Sequence, residues 1–109
     1  MPRSYSEKFL ISLPNLDTSR NGVRLAKLCV DANLPAVYIA TLLGVSRMTM
    51  YSWFRGKPTR DKNSQVIDEL ITLINKGIED NVLPATNMYG AWEYLNSVSP
   101  RIKQYKSQL

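Results

Sequence analysis

Residues Ala36 to Lys57 read AVYIATLLGVSRMTMYSWFRGK, and the fold of the chain turns on them. Two short helical stretches flank Leu43-Gly44-Val45-Ser46. Gly44 falls where the backbone must leave helical geometry with a positive φ, which glycine adopts at little cost. Ser46 is placed to accept a backbone N–H of the following stretch and fix where it starts. Ile39, Leu43, Val45, Met50 and Trp53 recur at spacings that turn inward from both helices to one shared core. Ala40 is small where the second helix crosses close. Each cue is common alone; in this order they define one supersecondary unit, two short helices crossing steeply through a tight turn.

Working upstream, Asn21–Ala32 predicts a first helix, with Thr18 or Ser19 as its cap and Val23, Leu25, Ala26, Leu28, Cys29 and Val30 as its apolar side. Asn33 and Pro35 end it, and Pro35 suits the first position of helix two, residues 35–43. Helix three covers about Arg47–Arg55 and is closed by Gly56 and Pro58; Phe54 is expected to pack against helix four. Downstream, Lys57-Pro58-Thr59-Arg60-Asp61-Lys62-Asn63 reads as a basic loop. Helix four, about Ser64–Glu79, carries a broad apolar face of Val66, Ile67, Leu70, Ile71, Leu73, Ile74 and Ile78. Helix five, about Met88–Val98, puts Ala91, Trp92, Leu95 and Val98 on one side, and Pro100 is expected to stop it. Residues 1–17, with Pro2, Pro14 and the apolar Phe9-Leu10-Ile11, suit an arm, a short strand or a packed extension equally. The expected architecture is all-α: an N-terminal extension (1–17), a five-helix domain over 18–99 with its core at 35–56 and helices four and five at 64–98, and a basic, fraying C-terminal tail (100–109).

The composition limits the chemistry. A chain of 109 residues with 44% hydrophobic and 21% charged side chains has the size and balance of one globular domain. The net charge of +5 permits an anionic partner without demanding one. Cys29 is the only cysteine and histidine is absent, which excludes a disulfide framework, a Cys/His zinc site and imidazole catalysis. Cys29 itself is expected to be a small buried apolar residue. No catalytic residue, metal, cofactor or small-molecule ligand is indicated. No run approaches the ~18 apolar residues of a membrane helix, and Glu7, Lys8, Pro14 and Asn15 interrupt any secretory apolar region, so a cytoplasmic protein is expected.

GVRLAKLC at 22–29, YIATLLGVSRMTMYSW at 38–53 and RGK at 55–57 together resemble the lambda-repressor and Cro type of helix-turn-helix domain, the XRE-like family. The likeness in motif covers about a third of the chain. It implies that helix three enters the major groove of double-stranded DNA with its N-terminal residues at the base edges. On this sequence the implied base-contacting residues are Arg47, Met48, Tyr51, Ser52 and Arg55, opposite the buried Met50 and Trp53. Arg47 leads them, because a guanidinium can bind guanine O6 and N7 together. Met48 suits a thymine methyl. Thr49, Lys57, Arg60 and Lys62 are the implied phosphate contacts. Arg47, Arg55, Lys57, Arg60 and Lys62 against Asp61 alone leave residues 47–62 at net +4. One departure is visible: such domains open helix two with a Ser/Thr cap and a phosphate-binding Gln, and Leu34-Pro35-Ala36 stands in that place.

Helix four is acidic, with Asp68, Glu69, Glu79 and Asp80 against Lys76, so residues 64–80 at net −3 should face away from DNA. Its wide apolar stripe, with Tyr89, Trp92 and Tyr94 beyond, suits either completion of one core or a homodimer contact through helices four and five. The resemblance implies a phage or mobile-element transcriptional regulator, a repressor occupying an operator. A DNA-recognition subunit of a packaging or recombination machine, and a protein-binding module that grips host polymerase, are the alternatives.

Overall fold

The computed structural model describes residues 5–108; the first four residues of the expected extension and the terminal Leu109 lie outside it. Among the described residues every element is helical: α1 (Glu7–Ser12), a 3-10 turn (Leu13–Asn15), α2 (Asn21–Asp31), α3 (Ala36–Leu43), α4 (Arg47–Phe54), α5 (Asp61–Glu79) and α6 (Met88–Ser107). The all-α expectation holds. The five predicted helices correspond to α2–α6, and α1 is additional.

α1 answers the open question of the N-terminal extension. Ser6 caps it by accepting the Phe9 N–H at 3.1 Å, and its one buried side chain, Phe9, enters the core. Tyr5 is buried just ahead of it, and its hydroxyl donates to the Leu34 carbonyl at 2.7 Å. So short a helix is unstable alone. It persists because Tyr5, Phe9, Tyr51 and Phe54 make one aromatic cluster with centroid separations from 5.2 Å to 6.5 Å. Phe54, expected against helix four, finds its ring partners in this cluster.

α2 packs on both α4 and α5. Gly22 is the residue that allows the first contact, because a Cβ there would overlap the Trp53 carbonyl. The expected caps Thr18 and Ser19 do not cap it. Asp17 accepts the Ser19 N–H at 2.9 Å, the turn uses up these residues, and Arg20 becomes the N-cap with no side-chain bond. Pro35 likewise sits one position earlier than expected, as the N-cap of α3.

The turn between α3 and α4 follows the pattern read from sequence. Gly44 has φ +74°, its N–H donates to Thr41 O and the Val45 N–H to Ala40 O, both at 3.1 Å. This pair of bonds satisfies the last carbonyls of α3. Ile39, Ala40, Leu43, Met50 and Trp53 are buried and Val45 is half-buried, as their spacing requires.

Two downstream boundaries moved. α5 begins at Asp61, which shortens the expected basic loop to Lys57–Arg60. α6 does not stop at Pro100 but runs through it to Ser107. A proline inside a helix costs ~3 kcal/mol. The helix survives because Ile102 beyond it is fully buried and Lys106 is bonded to the end of α3. The expected fraying tail is therefore ordered helix through Ser107. The apolar stripe of α5 is largely spent on packing: Val66, Ile67, Leu70, Leu73 and Ile74 are buried, and α5 exposes no large apolar side chain. No helix among the described residues is long and apolar enough to cross a membrane.

Candidate nucleic-acid interface

α4 is eight residues long with a buried back of Met50, Trp53 and Phe54. At 100° per residue, positions 47, 48, 51, 52 and 55 share the opposite side. Arg47, Met48 and Thr49 at its start are exposed, Met48 to 84%. An exposed methionine at that fraction contributes nothing to the core, so its apolar surface is available to a partner. Ser46 fixes the start of the helix by accepting the Thr49 N–H at 3.1 Å, and its hydroxyl also donates to Thr49 Oγ1 at 3.1 Å. Ser52 donates its hydroxyl proton to Thr49 O at 2.7 Å, which leaves its oxygen as an acceptor toward solvent.

The far end of α4 is different. Tyr51 is half-buried, with its ring edge-on to Phe9 at 5.2 Å and to Phe54 at 6.0 Å. Burial pushes its phenol pKa up, against the opposing charges of Arg47 and Arg55. The Arg55 guanidinium carbon lies 5.4 Å from the Tyr51 ring centroid and 5.7 Å from that of Phe9. A guanidinium over two rings is attracted to their faces and restricted in where its N–H edge points. The family resemblance implies Tyr51 and Arg55 as base contacts alongside Arg47 and Met48; in the fold both are tied to α1.

Lys57, Arg60 and Lys62 are exposed: Lys57 just after α4, Arg60 at the N-cap of α5, and Lys62 in its first turn. The ion pair within 4.0 Å among the described residues joins Lys76 and Asp80 on the outer side of α5. Among the described residues Arg47, Arg55, Lys57, Arg60 and Lys62 have no carboxylate partner at that distance. Exposed cations left without a carboxylate partner favour an anionic partner. The start of α3 adds nothing to it, since Leu34, Pro35 and Ala36 are buried beneath Tyr5.

Sequence reasoning missed three cations. Arg20 and Arg24, at the start of α2, line one cleft with Lys57. Their four-residue spacing puts them on one side of a helix, but nothing local points to Lys57. Lys106, which falls in the expected basic, fraying tail, is committed elsewhere: its ammonium donates to Leu43 O at 2.8 Å and Leu42 O at 3.4 Å. Partial burial lowers its pKa. It closes the end of α3 at the turn that sets the angle of α4.

Tyr89 and Trp92 of α6 are 65% and 49% exposed, and Trp92 shares a groove with Val37, Tyr38 and Thr41 of α3. Compared with known protein families, with curated proteins and with solved structures, the chain matches none.

Proposed function

We propose that this chain is a sequence-specific binder of double-stranded DNA, with α3, the Gly44 turn and α4 acting as a helix-turn-helix. The observation that carries this is the exposed start of α4. Arg47 and Met48 stand free on a helix whose back is buried and whose first turn is fixed by Ser46. Arg47 donates to a guanine edge, Met48 covers a thymine methyl and Ser52 accepts from a base amino group. Thr49, Lys57, Arg60 and Lys62 hold phosphates and contribute affinity without sequence choice. Tyr51 and Arg55 form the supported end, from which Arg55 still reaches the groove edge. No catalytic step is part of this function.

The biological role in this proposal is a small phage-type regulator, a repressor acting at an operator as a homodimer. The second copy seats on the exposed aromatic side of α6 rather than on α5. Tyr89, Trp92 and Glu93 lie in the first half of α6, and Lys103, in the second half, lines the same groove as Trp92. An antiparallel pairing about a two-fold axis sets that cation of each copy against the rings and carboxylate of the other.

Selection of duplexes from genomic fragments by the purified chain, with its mass in solution, tests this. A palindromic site bound by a dimer is expected. Absence of any preferred duplex would overturn the proposal. A ring of many copies on DNA would move the role to a packaging machine.

A further inference from the structure

A polar cleft lies where the start of α2 meets the segment joining α4 to α5. It has a volume of about 260 Å³, and Arg20, Arg24, Lys57, Thr59, Ser64 and Asp68 line it. That is several times the ~30 Å³ share of a water molecule, enough to admit a phosphate group with water around it. Three cations face one carboxylate. Asp68 Oδ1 shares the two Asn21 Nδ2 protons with Ser64, at 3.0 Å, and the three cations against its one charge still leave the lining at net +2. Asp17, whose carboxyl the Ser19 N–H and, to a smaller extent, the Arg20 charge hold below the usual range, is not part of the lining.

We propose that this cleft is a phosphodiester-binding site, in which Arg20, Arg24 and Lys57 hold one backbone phosphate of the duplex. This rests on the DNA-binding function above and extends it to α2, which has no place in the contacts assigned so far. The walls are preorganised. Asn21 Nδ2 bonds Ser64 O at 3.0 Å and Ser64 Oγ at 2.9 Å, tying the start of α2 to α5. Arg24 Nη1 donates to Thr18 O at 2.9 Å and Ser19 O at 3.2 Å. Those bonds fix the guanidinium and leave its Nη2 and Nε donors for an anion. Arg20 and Lys57 have no carboxylate within 4.0 Å among the described residues. Position supports the assignment as well. α4 has eight residues, so it is about 12 Å long, comparable to the ~12 Å width of the major groove. A helix whose first turn meets base edges brings its last turn to the groove margin. Lys57, whose N–H bonds Ser52 O at 3.0 Å, then sits beside the phosphates.

Titration of the full chain with inorganic phosphate, followed by amide chemical shifts, probes the site without DNA. Saturable shifts are expected at Gly22, Lys57 and Thr59, and Arg20→Ala should abolish them without altering the melting temperature. Shifts that never saturate, or that survive Arg20→Ala, would overturn the site. On duplex DNA, Arg20→Ala should flatten the salt dependence of binding by about one unit of slope while leaving discrimination between sequences unchanged. An unchanged slope would overturn the assignment to backbone phosphate. Saturation in the cleft by a chain that binds no duplex would instead keep the anion site and overturn the function it is proposed to serve.

Discussion

The two ends of α4 carry similar side chains and are built for different work. At the first turn, Arg47 and Met48 project into solvent from a helix start fixed by the Ser46 cap and the buried Met50. At the last turn, Tyr51 and Arg55 lean on Phe9 of α1, and Phe54 is buried among the same rings. One end is free to contact a partner because the other is anchored. A short helix cannot present a side chain with precision unless its own position is fixed by packing. Here α1 supplies part of the fixing and Lys106 of α6 supplies more, by closing the carbonyl end of α3.

That contrast can be broken most forcefully at Phe9. Phe9→Ala removes the platform under the anchored end and should cost about 3–5 kcal/mol of stability in urea denaturation, in line with buried Phe truncations. Met48→Ala at the free end should change stability by less than about 0.5 kcal/mol. Equal costs would mean that the two ends are not distinguished by packing. Gly44→Ala comes next. Its φ of +74° is poor for alanine, and the added Cβ would lie 3.3 Å from Lys106 Nζ. A loss of about 1–3 kcal/mol is expected by thermal unfolding. Lys106→Met should cost about 1 kcal/mol, since its two hydrogen bonds are charge-assisted but partly screened by water. The same variant should also weaken duplex binding, measured by anisotropy at constant salt, because the turn it closes sets the direction of α4.

Much of this arrangement was legible in the sequence where the determinants are local. The Gly44 turn, the Ser46 cap and the buried Met50 and Trp53 follow from rules that span four or five residues. Residues whose environment depends on distant chain were not legible. Tyr51 and Arg55 read as free readers because nothing between 36 and 57 announces Phe9. Pro100 read as a stop because the local rule is sound; the burial of Ile102 and the Lys106 bonds to α3 override it. Thr18 or Ser19 read as the cap, yet both fall in the turn before α2 and Arg20 takes the cap position. Arg20 and Arg24 meet Lys57 only after α2 crosses α4 at Gly22, a contact invisible without the fold.

Whether the start of α4 reads sequence is tested most directly by comparing Arg47→Ala and Lys57→Ala on a selected duplex and on a scrambled one across a salt series. Arg47→Ala should lose about 1–3 kcal/mol of discrimination between the two duplexes. Lys57→Ala should weaken both about equally and flatten the salt slope by about one. Loss of discrimination in both variants alike, or in neither, would contradict the division of labour between the reading end of α4 and the cationic segment that follows it.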